Sequence, residues 1–159
     1  MNDNYRIELI DSDMNKVSAA LDLVWRVFEE FEAPEYSEEG IEEFQEFIAL
    51  DAMLQRLKEK KLCLWGCFEG ENITGVIAAR QPCHISLLFV DKAYHRRGIA
   101  RSLYDTVLAH YTMNSSYNEV TVNSSPYAVE AYKRMGFVTT DQEQTVNGIR
   151  YIPMVHMFR

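Results

Sequence analysis

The stretch HISLLFVDKAYHRRGIARSLYDTVLAHY, residues 84–111, decides the fold. Its opening HISLLFV reads as a strand, and the segment from Gly98 to Tyr111 carries apolar residues at helical spacing. Between them, YHRRGIA forms a tight loop. Lys92, His95, Arg96, Arg97 and Arg101 gather where the helix begins, although the first turn of a helix already carries partial positive charge from unpaired N–H groups. A strand that passes through a short basic loop into a helix presents main-chain N–H groups to an anion, a phosphate above all. Gly98 lets the backbone approach such a group without a Cβ in the way. A solvated basic turn ahead of a helix is the competing explanation, and spacing alone leaves both open. No GxGxxG and no GxxxxGK[ST] occurs, so neither a dinucleotide fingerprint nor a nucleotide P-loop is present.

Working outward, YRIELI (5–10) alternates as a first strand, and Val17, Leu21, Val24, Phe28 and Phe31 predict an amphipathic helix over 14–32. Ser37 is a plausible N-cap for a second helix with Ile41, Phe44 and Ile48 on its apolar stripe, and 51–60 reads as a further helical piece with a cationic last turn. LCLWGCFE, the turn GEN and ITGVIAAR form a hairpin, EVTVN (119–123) is a strand, and PYAVEAYKRM is a helix with Ser125 as its cap and Gly136 past its end. Asn147-Gly148 marks a closing hairpin. Strands and helices in this order predict one α/β (α+β) domain over 1–159, with a mixed, mostly antiparallel central sheet of six to seven strands flanked by helices.

Sixteen basic against twenty-four acidic residues give a net charge of -8, which argues against a nucleic-acid partner. No apolar run is long enough to span a membrane and the first residues are too polar for a signal, so a soluble, cytoplasmic protein is expected. Cys63, Cys67 and Cys83 form an odd set without a CxxC, which predicts buried, reduced thiols and no metal site. The charge is unevenly spread. From Glu29 to Glu46 nine glutamates stand without a Lys or Arg, opposite in sign to the basic run from Lys92 to Arg101.

LLFVDKAYHRRGIARSLYDTVL resembles the acetyl-CoA signature of the GCN5-related N-acetyltransferase (GNAT) family, Q/R-x-x-G-x-G/A, and NSSPYAVEAYKRMGF is similar to that family's second motif, a Tyr-bearing helix that ends in Gly-Phe. His95 departs from the Gln or Arg of the first motif, while Ala100 fits its last position. With NGIRYIPMVHM, the match also reminds us of the YafP-like branch.

The resemblance implies an acetyl-CoA-dependent N-acetyltransferase, in which a primary amine attacks the thioester directly through a tetrahedral intermediate. It implies that the main chain of Arg96, Arg97, Gly98, Ile99, Ala100 and Arg101 holds the pyrophosphate of coenzyme A. Leu88, Phe89 and Val90 would pair with the pantetheine arm like an added strand, with Val90 N–H as oxyanion donor. Tyr132 would protonate the leaving thiolate, a role that competes with plain core packing, and Asn123 would hydrogen-bond the cofactor or a water. For the general base, His84 stands eleven residues before the first motif position, where family members place a glutamate, with Glu30 or Glu35 as the next choice. Alternation places His84, Ser86, Leu88 and Val90 on one face of their strand. The acidic region implies a cationic acceptor, a small molecule or a peptide amine, and relatives make a homodimer an open expectation. A silent acyl-CoA-binding module with the same fold is the alternative, because a fold does not establish turnover.

Overall fold

The computed structural model describes residues 4–11, 13–113 and 118–158. Its strands are β1 (Tyr5–Ile10), β2 (Cys63–Glu69), β3 (Asn72–Arg80), β4 (His84–Val90), β5 (Glu119–Ser124), β6 (Val138–Thr139), β7 (Gln144–Val146) and β8 (Ile149–Met157). The helices are α1 (Met14–Phe31), α2 (Glu38–Phe47), α3 (Leu50–Lys58), α4 (Ile99–Thr112) and α5 (Val129–Arg134). Local chemistry sets these bounds. Asp13 starts α1 by accepting from the N–H groups of Asn15 and Lys16, and Ser37 starts α2 by accepting from Gly40. Asn147 and Gly148 take φ values of 53° and 79°, the left-handed pair that a two-residue hairpin between β7 and β8 demands.

The eight strands make a sheet ordered β1-β2-β3-β4-β5-β8-β6, with β7 also paired to β8. Antiparallel neighbours run through it, except that β4 and β5 lie parallel across the α4 crossover. Two apolar cores result. One packs Ile99, Leu103, Tyr104 and Val107 of α4 onto Ile77, Ile85, Val120 and Val122. The other packs Val17, Leu21, Val24 and Phe28 of α1 onto Leu64, Val76, Leu87 and Phe89. Phe28 stacks on Phe44 at 4.0 Å, so α2 is tied to the α1 side.

A bulge corrects the alternation expected for β4. Ala78 faces Leu87 but Ala79 faces Ile85, so Ser86 has no partner on β3 and the pleat changes phase there. Ile85 accordingly enters the α4 core while Leu87 and Phe89 enter the α1 core. Leu88 and Val90 pack on the α4 side with Ile85, and His84 lies on the opposite face from them. Nothing in the residue pattern marks a bulge whose extra residue is an ordinary serine.

The β7–β8 turn docks on α2 through two glycines. A Cβ on Gly40 would stand 2.1 Å from the carbonyl oxygen of Gly148, a backbone atom that has no rotamer to move. Gly40→Ala is therefore expected to lower stability by about 1–3 kcal/mol, the usual cost of overpacking. Urea unfolding checks this, and an unchanged midpoint would refute the close approach.

Candidate active site

β4 and β5 pair at His84 with Thr121 and at Ile85 with Val122, and no further. Above this vertex the strands part. The N–H of Asp91 donates to the carbonyl of Thr74 on β3, and antiparallel alternation therefore also aims the main chain of Phe89 at β3. The main-chain groups of Leu88 and Val90 then point into the gap. His95 Nε2 donates to the Val90 carbonyl at 2.8 Å, which agrees with that direction.

The gap widens into a groove of about 750 Å³, lined by Leu88, Phe89 and Val90 from β4, by Gly98 and the first turn of α4, and by Tyr132 and its neighbours on α5. α4 opens without help. Gly98, with φ 78°, offers no side-chain cap, and the first turn holds no acidic residue. Every other helix described here begins with a capping side chain or an acid in its first turn. The leading N–H groups of α4 are thus left for an anion, with Arg96 and Arg101 in the same wall. Positive φ at both Arg96 (64°) and Gly98 curls the chain into the concave form that collects N–H groups.

Across the groove stand Tyr132 and Glu32. Tyr132 is buried, and burial first and the charge of Glu32 second push its hydroxyl pKa up, which keeps it protonated at neutral pH. Glu32, at the end of α1, is a groove residue that sequence reading did not single out from its acidic neighbours. Burial raises its pKa to about 7, opposed by a hydrogen bond from Ser125, while Glu35 adds to the rise. Phe31, next to it, stacks on Tyr127 at 5.2 Å and meets His95 at 5.7 Å. No described group of three or more His, Cys, Asp or Glu is placed to hold a metal ion.

The model of the acetyltransferase (GNAT) domain matches residues 32–158. The chain belongs to this family. Among solved structures it is similar to a GCN5-related N-acetyltransferase from Rhodopseudomonas palustris, with a TM-score of 0.82 at 20% identity, covering 99% of this chain and 98% of that one. It is also similar to the PaiA N-acetyltransferase of Thermoplasma acidophilum, solved in complex with coenzyme A, with a TM-score of 0.78 at 16% identity, covering 99% of this chain and all 100% of that one. Human N-acetyltransferase 8 is 30% identical over 98 residues, which take in 54% of this chain and 43% of that protein's length.

Two residues expected at the site of this GNAT domain stand elsewhere, and Arg97, expected there through its main chain, lies between the groove residues Arg96 and Gly98 with its side chain outside. The Arg97 side chain turns away from the groove: its guanidinium donates to Tyr5 Oη at 2.9 Å and covers the Tyr94 ring at 5.0 Å. Asn123 is exposed, pairs with Pro153 and lines a second recess of about 340 Å³. His84 lines that recess too, with Nδ1 2.8 Å from Thr121 Oγ1, at the closed end of the cleft. Two causes act: on β5 Asn123 shares the face of Glu119 and Thr121, which line the same recess, and the extra residue Ser86 puts His84 out of phase with Leu88 and Val90. The other expected groove residues, Leu88, Phe89, Val90, Arg96, Gly98, Ile99, Ala100, Arg101 and Tyr132, do share one cavity. Glu30 reaches Lys92 at 3.7 Å, and the Glu35 carbonyl accepts from Arg150.

Burial, and then the charge of Arg80, lowers the His84 pKa to about 4. Between that value and the 6.5 of a free imidazole, the unfolded chain takes up a proton that the folded chain refuses. Stability should therefore fall as pH drops from about 6.5 to about 4, by about 1–3 kcal/mol from this group. Denaturation of wild type and His84→Gln across that window checks the sign, since the variant should lose the part of the slope that His84 supplies. Parallel slopes would reject it.

Proposed function

We propose that this GNAT domain is an acetyl-CoA-dependent N-acetyltransferase acting on a primary amine. The observation that carries the reading is the pairing gap above Ile85 and Val122, opening beside the uncapped start of α4. An extended arm laid against Leu88 and Val90 would satisfy main-chain groups that no strand reaches, and a diphosphate would satisfy the leading N–H groups of α4. The residues present fit coenzyme A in both respects. The neighbour solved with coenzyme A has the same fold. Bound there, the cofactor would supply an activated acetyl group.

The chain's own groups take the remaining roles. Val90 N–H is the proposed donor to the carbonyl oxygen as charge builds on it. Tyr132, held protonated, is the proposed acid for the departing sulfur. His84, the base expected ahead of Glu30 or Glu35, stays in the neutral, accepting form at pH 7, yet it lies in a recess apart from Tyr132, which favours a glutamate from the end of α1 for removing the amine proton. The acceptor we favour is cationic, a small molecule or a peptide, because the sequence from Glu29 to Glu46 is rich in glutamate and places Glu32 in the groove wall. We read residues 1–159 as one catalytic domain. Placement in the YafP-like branch rests on HISLLFVDKAYHRRGIARSL together with the closing NGIRYIPMVHM and is part of this proposal.

Tyr132→Phe separates a working enzyme from a silent cofactor binder. Release of coenzyme A thiol should fall by about 10²–10⁴, the usual weight of a positioned acid, while the calorimetric heat of coenzyme A binding persists. Unchanged turnover overturns the acid role. No heat in the wild-type protein overturns the whole reading.

A further inference from the structure

The groove carries a charge that the cofactor does not explain. Lys92 pairs with Glu30, Arg26 with Asp91 and Arg150 with Glu143, but among the described residues no lysine or arginine forms an ion pair with Glu32. A half-buried carboxylate without a cation must either take a proton or wait for a positive partner. Ser125 favours the second state. Its hydroxyl oxygen accepts from Ala128 N–H at 3.2 Å, and its single proton is left to donate to the Glu32 carboxylate. The acceptor of that hydrogen bond is strongest when ionised.

We propose that Glu32, held by Ser125, receives the ammonium group of the acceptor and takes its proton, so that this site acetylates alkylamines, which are cationic at neutral pH, and rejects arylamines, which are not. The inference rests on the N-acetyltransferase reading above. One proton passes from the ammonium nitrogen to Glu32. The nitrogen lone pair forms the C–N bond as the C–S bond of the thioester breaks, and Tyr132 gives its proton to the sulfur. Glu32 then loses its proton to solvent, and the second proton of the nitrogen, released as the neutral amide forms, replaces the one that Tyr132 gave to the sulfur.

Several groups face Glu32 and enter its titration: Glu35 beyond the end of α1, Tyr36 ahead of α2, and Tyr127 and Tyr132 from the α5 side. His95 and Arg96 share the groove from the basic loop. The three tyrosines have raised pKa values, so they stay neutral through the relevant range.

The test pairs spermidine, a lysine peptide, an aminoglycoside and free amino acids with aniline and 4-methylaniline, on wild type, Glu32→Gln, Ser125→Ala, Glu35→Gln and His95→Gln, with coenzyme A binding followed separately by calorimetry. We expect turnover with an alkylamine and none with the arylamines, and kcat/KM that rises with pH through a limb near 7. Glu32→Gln should cut alkylamine turnover by about two orders of magnitude and erase the limb, and Ser125→Ala should move the limb to higher pH. Glu35→Gln and His95→Gln should each keep it.

Folding offers a readout that a merely structural glutamate would not give. The folded chain holds the Glu32 proton up to about pH 7 where the unfolded chain releases it near 4.5, so ionised Glu32 opposes folding at pH 8. Glu32→Gln should therefore melt higher than wild type at pH 8. A lower Tm, a limb that survives Glu32→Gln, or efficient arylamine turnover overturns the inference. Coenzyme A binding with no alkylamine turned over also overturns it and leaves the cofactor reading standing. Absence of coenzyme A binding removes both.

Discussion

β4 and β5 share two residue pairs and then part. In a sheet, an interior strand normally satisfies main-chain groups on both sides, and a buried N–H or C=O without a partner costs about 1–3 kcal/mol. The upper half of β4 has β3 on one side and a groove on the other. Parallel strands need a long crossover, and here the crossover is α4, whose start lies in the loop that leaves β4. A single topological choice thus places an open strand edge and an exposed helix N-terminus in one cavity. The same choice brings Tyr132 opposite, because α5 follows β5 as α4 follows β4.

The loop that carries Gly98 is fastened from outside the groove. Tyr94 Oη donates to Glu69 at 2.9 Å and accepts from Asn72 at 3.1 Å. Arg97 is drawn down to Tyr5, and His95 holds the Val90 carbonyl. The side chains that sequence reading credited with attracting phosphate therefore divide their work. Arg97 anchors, Arg96 and Arg101 face the cavity, and His95 occupies an acceptor on the strand edge itself. If the proposed cofactor contacts are made by the main chain, polar contacts to β1, β2 and β3 hold the geometry they need, and that reading asks nothing of the His95 side chain.

Local signals in the sequence located α1 to α4 to within about two residues, while the helix expected from Pro126 opens as a 3₁₀ turn over Pro126–Ala128 and becomes α-helical only at Val129. Asp13, Ser37 and Ser125 each cap the turn that follows, and Asn147-Gly148 makes its hairpin. The groove was legible as far as it follows the chain, from Leu88 through Arg101 and at Tyr132. What was not legible depends on phase or on tertiary approach. Ser86 gives no sign that it is an extra residue in the pleat, yet it moves His84 to the face opposite Leu88 and Val90. Asn123 lies two positions from Ser125, and the two part because β5 ends at Ser124: Asn123 keeps the strand face that lines the second recess, whereas Ser125 stands in the turn that leaves the strand. Among nine glutamates between Glu29 and Glu46, the one at the C-terminal end of α1 is distinguished only by what folds over it.

That placement reverses the ordinary logic of a stabilising carboxylate. A surface glutamate at the end of α1 would sit unfavourably against the negative end of the helix dipole, and a cation would relieve it. The fold instead brings Tyr36, Tyr127 and Tyr132 around Glu32, and each of them is itself pushed toward the neutral form, by burial and also by the Glu32 charge. Glu32, Tyr127 and Tyr132 share one cavity, and on the proposed reading the charge with which Glu32 receives a cation also keeps Tyr132 a donor. Acid and base chemistry can proceed at one pH when neighbouring groups separate each other's pKa values in this way. On that reading the uncompensated charge is a property of the free protein, and a cationic ligand in the groove would relieve it.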